Sequence, residues 1–272
     1  MEYIIEKKRK FSFGLKELFR YRELFYFFTW RDIKVKYKQA ALGFLWAILQ
    51  PLAMMLIFTL IFSKGLKVGS EGIPYPVFAL SGLIIWNIFS TGLLNSANSM
   101  VVNSNIIKKI YFPRLIIPMS SILTALFDFC FALIVYIGVI IYYNHATDWL
   151  QVLYCLPVAI FLTVLTTFGL GTFLAALNVK YRDFQYIIPF MIQFLLFINP
   201  VLYSSKIFEH GWLAWVMKLN PIANAINLSR SAFTGNPVDW QGVGFGFLVA
   251  FSFFFAGIYV FRKTEAYFAD LA

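Results

Sequence analysis

The chain has 272 residues, of which 60% are hydrophobic and only 13% charged, with 32 phenylalanines and a mean hydropathy of +0.73. A soluble globule of this size cannot hide so much apolar surface, and soluble chains are normally about one quarter charged. That excludes a soluble enzyme or binding domain, and it makes the net charge of +10 a topology signal before it is a nucleic-acid signal.

The first forty residues are polar and basic. They lack an apolar core followed by a small-residue cleavage site, so no cleavable signal peptide is expected. Within them, Leu15–Trp30 (LKELFRYRELFYFFTW) mixes Leu15, Leu18, Phe19, Phe25 and Phe28 with Lys16, Glu17, Arg20, Arg22 and Glu23. Ser12 is the candidate N-cap, and Arg20 lies three residues from both Glu17 and Glu23. This pattern predicts an amphipathic helix, suited either to the membrane surface or to packing on a partner.

A bilayer core about 30 Å thick takes around 20 apolar residues in a helix. Six segments meet or approach that length: Phe44–Phe62, Val77–Leu94, Leu115–Tyr143, Val152–Leu177, Ile187–Tyr203 and Val243–Phe261. Pro51 should kink the first span, and Gly43 permits a close approach or sharp turn at its entry. Asp128, in the third span, is the single ionised residue inside any of the six. It is expected to face the bundle or a subunit interface and to bond a neighbour there. The fifth span is short and contains Pro189 and Pro200, so it is bent or starts earlier. Ser204–Gln241 is long for a plain loop and apolar in part, and Asn220-Pro221 announces a helix over Ile222–Phe233. Two short re-entrant helices are predicted there. In the sixth span, Gly242, Gly246 and Ala250 recur every four residues, the spacing of tight helix packing within a subunit.

The sequence therefore divides into a cytoplasmic N-terminal segment (1–40), a six-span domain (41–263) and a tail (264–272). Of the 23 Lys and Arg, only Lys64, Lys67, Lys206, Lys218 and Arg230 fall opposite the side that carries the N-terminus, so both termini are predicted to be cytoplasmic. Cys130 and Cys155 lie in apolar runs and read as small buried hydrophobes, with no disulfide or metal site implied. His145 and His210 have no carboxylate at motif spacing. No H-E-x-x-H, D-x-D, G-x-S-x-G or G-x-x-x-x-G-K-[ST] occurs, so neither a catalytic motif nor a phosphate-cradling loop is present.

WRDIKVKYKQAALGFLWAILQPL (Trp30–Leu52) closely resembles the entry to the first span in membrane subunits of type-2 ABC exporters that move polysaccharides. YPVFALSGLIIWNIF (Tyr75–Phe89) resembles that family's second span. NSNIIKKIYFPRLIIPMSS (Asn103–Ser121) and NVKYRDFQYIIPF (Asn178–Phe190) resemble its cytoplasmic connections. INPVLYS (Ile198–Ser204), with Asn220-Pro221 and Arg230, resembles its outer segment. O-antigen-type exporters match best, with teichoic-acid and capsule exporters as close relatives. The resemblance implies a homodimer of six-span subunits in a bacterial inner membrane, bound to two copies of a separate ATP-binding subunit. That partner would hold ATP and Mg²⁺, this chain would carry no cofactor, and the cargo would be a lipid-linked polysaccharide taken from the cytoplasmic face. An exporter of lipids or drugs, and a membrane enzyme acting on lipid-linked sugars, stand as alternatives.

A permease without its own phosphate loop must receive work through a cytoplasmic connection. Pro113 ends any helix near Phe112. That leaves Asn103–Tyr111 as a short helix, with Asn103, Ser104 or Asn105 as cap. Ile106, Ile107 and Ile110 are expected to form one face that fills a cleft on the partner, while Lys108 and Lys109 meet its carboxylates. The family resemblance places the coupling role on this connection. The alternative is that the two lysines only hold the topology through lipid head groups. Secondary contacts are expected at Arg31-Asp32 and Arg182-Asp183. A sliding glycan wants flat aromatic faces and few fixed charges, which makes Tyr37, Phe44, Trp46, Trp86, Phe89 and Tyr203 candidates for its path. The same residue types also collect in interfacial belts and in packing.

Overall fold

The computed structural model describes residues 20–38, 43–66, 69–208 and 211–265, and these form helices and no strand. The predicted cap Ser12, the start of the amphipathic segment and His210 lie outside them.

The first helix, α1 (Arg22–Lys38), buries Phe28, Ile33 and Tyr37 and leaves Tyr26, Phe27, Trp30 and Val35 exposed. Gly43 (φ 47°) turns the chain into α2 (Leu45–Phe58), a conformation that costs a residue with a Cβ more than glycine. Pro51 sits inside α2, and the helix runs on as a π-helix over Thr59–Gly65, a feature with no signal in the sequence.

The second span is longer than hydropathy predicts. Helix α3 (Tyr75–Val102) continues through the polar string after Leu94, so the connection to the next span begins only at Asn103. The reason is lateral pairing. Ser96, Ala97, Ser99 and Met100 are buried, and Asn178 Nδ2 donates to Ala97 O (3.1 Å) and Asn98 Oδ1 (2.9 Å). At 1.5 Å per residue, 28 residues reach about 42 Å, more than the bilayer core needs. After a four-residue helix α4 (Ser104–Ile107), α5 covers Ile116–Tyr142 and α6 covers Trp149–Lys180. Asp148 caps α6 by accepting from the amides of Leu150 (3.0 Å) and Gln151 (3.4 Å).

Helix α7 (Phe184–Ile198) starts earlier than predicted and stops before Pro200, whose predecessor Asn199 is driven to extended backbone (ψ 145°). Its 15 residues span about 22 Å and buried residues are few, with Ile188 the one fully covered. Among the described residues, five helices are long and apolar enough to cross a bilayer, and α7 is the short apolar sixth. A 3-10 turn (Ser205–Phe208) and α8 (Trp212–Leu219) precede α9 (Pro221–Thr234). Asn220 Oδ1 accepts from the amides of Ile222 (3.0 Å) and Ala223 (3.3 Å), as the Asn220-Pro221 signal predicted, and Gly235 ends α9 in the left-handed region. Helix α9 is buried against α3 and α6, which makes it an internal short helix and not a surface loop. Asp239 then caps α10 (Trp240–Thr264).

The core centres on α3, which packs against α2, α5, α6, α7 and α9. Helix α10 lies on α6 at glycine distance: a Cβ on Gly169 would come within 2.5 Å of the Phe253 carbonyl carbon, and one on Gly257 would overlap the Gly169 carbonyl. The row Gly242, Gly246 and Ala250 faces Asn224 and the bundle, so it serves packing within the subunit, as its spacing predicts. Cys155 is buried, but Cys130 is exposed on α5, because the inward face there is taken by Ala125, Phe129, Ala132 and Tyr136.

Candidate functional site

One end of the bundle gathers α1, the α3–α5 connection, the α6–α7 connection and the last turn of α10. Phe28, Met100, Ile107, Phe112, Val179 and Phe261 form a shared apolar cluster there. Phe28 and Phe112 pack at 5.5 Å between centroids, their rings tilted by 36°. Arg31 donates through Nε (2.9 Å) and Nη2 (2.7 Å) to Asp32 Oδ1, and through Nη2 to Asn103 Oδ1 (2.8 Å). Its guanidinium lies 4.8 Å over the Phe28 ring. The Arg31-Asp32 pair is thus spent on fastening α1 to the connection.

The expected helix over Asn103–Tyr111 shortens to one turn of four residues, because Asn103 is used elsewhere. Its Nδ2 donates back to Ser99 O (2.8 Å) and its Oδ1 accepts from Arg31, so it caps nothing. The three isoleucines do not share a face. Ile107 is 5% exposed within the apolar cluster, Ile106 is half-buried against it, and Ile110 is 59% exposed. Ile107 is therefore a core residue of this subunit and is not free to fill a partner's cleft. The outward set is Val102, Asn105, Lys108, Lys109, Ile110 and Tyr111. Arg182 and Asp183 stand exposed beside it at the α6–α7 turn.

Asp128 behaves as its isolation predicts, although its neighbour is unexpected. Its carboxylate accepts from Lys36 Nζ and from the Tyr37 hydroxyl, both on α1. Burial, reinforced by the Asp128 carboxylate, pushes the Tyr37 phenol upward in pKa. Helix α1 is consequently held at two points, by the connection at Asn103 and by the middle of α5 at Asp128.

The six aromatic candidates separate by exposure. Trp86 (5%) and Phe89 (1%) are internal, packed on each other at 5.5 Å, and have no open side in this subunit. Tyr37 is buried under Phe44 (4.6 Å, stacked). The Tyr203 hydroxyl donates to Ile198 O (2.7 Å) and Phe197 O (3.0 Å), closing the end of α7. Phe44 and Trp46, at the entry to α2, are exposed and remain accessible to a passing chain.

The opposite end carries a clamp that the residue patterns did not announce. The segment after α7 is held by Arg230 of α9, which donates to Pro200 O (3.0 Å), Val201 O (3.1 Å) and Tyr203 O (3.4 Å) while covering the Phe78 ring at 3.7 Å. Tyr75 adds a bond to Leu202 O (2.9 Å). Asn220 Nδ2 donates to Asn199 Oδ1 (3.0 Å). Glu71, at a positive φ of 57°, accepts from Ser204 Oγ and Asn236 Nδ2 and pairs with Lys206 Nζ (3.4 Å). Gly82 makes room for the clamp, since a Cβ there would stand 2.9 Å from Val201 O. Only the family resemblance of Ile198–Ser204 with Asn220-Pro221 and Arg230 hinted at this; Glu71 lies in a turn without a motif.

Compared with characterised proteins, residues 23–234 match the family described as ABC-2 type transporter. An O-antigen export system permease protein RfbA of Klebsiella pneumoniae is 29% identical over 96% of this chain and 98% of its own length. Its namesake in Myxococcus xanthus is 30% identical over 80% of this chain and 83% of its own. The polysialic acid transport protein KpsM of Escherichia coli is 25% identical over 86% and 91%. With most of its spans, both connections and the short helix α9 inside the matched region, the chain belongs to the ABC-2 type transporter membrane family.

Proposed function

We propose that the chain is the permease subunit of an ATP-driven exporter that carries lipid-linked polysaccharide of the O-antigen type outward across a bacterial inner membrane. The observation that carries this reading is similarity along nearly the full length to O-antigen export permeases. The polysialic acid transport proteins match at lower identity, which favours an O-antigen-like cargo over a capsule.

The end bearing α1 is cytoplasmic, in keeping with its excess of Lys and Arg, and both termini lie on that side. The ATP-binding subunit docks on the surface made by Asn105, Lys108, Lys109, Ile110 and Tyr111, with Arg182 and Asp183 beside it. Ile106, Ile107 and Asn103 support that surface from within, and Arg31-Asp32 ties α1 to it. Two permeases pair with two ATP-binding subunits. Helices α2 and α7, the least covered spans, supply the faces for the second copy and for lipid, and Phe44 and Trp46 line the glycan's way in.

The test is genetic and chemical. Deleting the chain from its own cell should abolish surface glycan while lipid-linked glycan accumulates inside, and restoring the chain together with its ATP-binding partner should reverse both. Surface glycan that persists after deletion refutes the reading.

A further inference from the structure

At the end opposite α1, a pocket of about 530 Å³ opens between the α2–α3 connection, α8, α9 and the start of α10. Its size lies within the range of about 300–1,000 Å³ usual for small-molecule sites. Its walls are divided. Met217, Val238 and Val243 give an apolar side, and the other side is polar, made of groups already bonded, such as Glu71, Lys206, Asn224 and Asp239, together with a few that are open.

Asn227 and Ser231 are four residues apart on α9 and so share a face. Both are half-buried in the pocket wall, and neither side chain hydrogen-bonds another described residue. Arg230 also reaches the wall. It is 4% exposed, its terminal nitrogens serve backbone carbonyls, and its Nε–H is buried without an acceptor. The Arg230 Nε–H is a buried donor without an acceptor, and the Asn227 and Ser231 side chains stand open to a hydrogen-bonding occupant of the pocket.

The chemistry of the groups narrows the occupant. A phosphate site would offer the Arg fork or a set of helix-start amides. Here that fork is occupied, and the groups left open are the Asn227 carboxamide, the Ser231 and Ser205 hydroxyls and the lysine at the rim. Lys218 lies 5.9 Å over the Trp215 ring and forms no ion pair among the described residues, whereas Lys206 is spent on Glu71. Open carboxamide and hydroxyl groups facing an apolar wall suit a ring with hydroxyls at its edge and C–H groups on its face.

We infer that this pocket is a saccharide subsite at the exit end of the permease. It holds a sugar residue of the emerging chain through Asn227 and Ser231, with Lys218 favouring acidic sugars. The identity of the ligand rests on the glycan-export reading, but the pocket is tested separately from it.

The experiment uses the full complex with its ATP-binding partner in lipid nanodiscs, and it reads tryptophan fluorescence, for which Trp215 at the rim is the reporter. The probes are galactose, glucuronic acid, glycerol 3-phosphate and an oligosaccharide released from the host's surface glycan. Saturable binding of a saccharide is expected. It should weaken about tenfold in Asn227→Ala with Ser231→Ala, while Lys218→Gln, on the exposed rim, weakens glucuronic acid alone. If the double variant does not fold, Lys218→Gln decides by itself: an unchanged glucuronic acid affinity overturns the assignment. It is overturned equally by absence of saturation with any sugar, by undiminished binding in the folded double variant, or by saturation with glycerol 3-phosphate alone, which would mark a lipid head-group site. Loss of the export reading shows elsewhere, as surface glycan that survives deletion of the chain.

Discussion

The proposed coupling surface can be tested by two variants, one at Ile107 and one at Ile110 with Lys109, close in sequence and opposite in setting. Ile107 is 5% exposed among Phe28, Phe112 and Val179, and Ile110 is 59% exposed. Replacing Ile107 with Asp removes a buried side chain worth about 2–5 kcal/mol and strands a carboxylate in an apolar cluster, so destabilisation of at least about 3 kcal/mol is expected. Ile110→Asp with Lys109→Glu touches no such cluster and should change stability by no more than about 0.5 kcal/mol per site. An apolar anchor lost from a contact typically costs about 2 kcal/mol, which weakens association roughly 30-fold. The assay pairs thermal unfolding in detergent with co-purification of the ATP-binding partner. Ile107→Asp should lower the unfolding midpoint or the yield. Ile110→Asp with Lys109→Glu should keep the midpoint and lose the partner and export. If the second variant still co-purifies and exports, the docking surface is elsewhere; if Ile107→Asp unfolds at the wild-type temperature, the burial argument fails.

Three further outcomes follow from other contacts. Gly169→Ala drives a Cβ to 2.5 Å from the Phe253–Phe254 backbone and should cost about 1–3 kcal/mol or more, read as a lowered unfolding midpoint. Asp128→Leu leaves Lys36 and Tyr37 of α1 without their acceptor, and faster hydrogen exchange confined to α1 is expected, with the midpoint of the spans little changed because the Lys36 partner is partly solvated. Arg230→Met keeps the bulk over Phe78 but strips the carbonyls of Pro200, Val201 and Tyr203 of their donors. It should destabilise by about 2–5 kcal/mol and open the segment after α7 to proteolysis, and wild-type protease resistance would refute the clamp.

Hydropathy made the six spans legible because a bilayer imposes one requirement, apolar length, that any 20-residue run records. The start of α9 was equally plain, since Asn220-Pro221 sets both the cap and the first helical φ locally. What stayed hidden depends on partners distant in sequence. The polar extension of α3 exists because Asn178 lies alongside Ala97 and Asn98, and nothing in N-S-A-N-S announces that neighbour. The same holds at the connection. Spacing alone put Ile106, Ile107 and Ile110 on one helical face, but Asn103 was drawn into bonds with Ser99 and Arg31, the helix closed after one turn, and Ile110 left the face. Trp86 and Phe89 suited a sugar path by chemistry, yet α3 is the central helix, and its aromatics are covered by the subunit itself.

The two ends of the bundle are built for different tasks, and the difference lies in how each is fastened. The end with α1 is joined by an apolar cluster and by a few charged contacts through α1, with Arg31 linking the connection at Asn103 to a helix whose other anchor is Asp128, midway along α5. Apolar contacts slide without leaving a group unpaired, which suits a surface that receives force. The opposite end is fastened by directional bonds, from Arg230 and Tyr75 to backbone carbonyls and from Asn220 to the side-chain carbonyl of Asn199. Any movement there must break several at once. Opening that end therefore requires a concerted step, and a closed barrier at rest is what a membrane needs from a passage wide enough to pass a sugar chain.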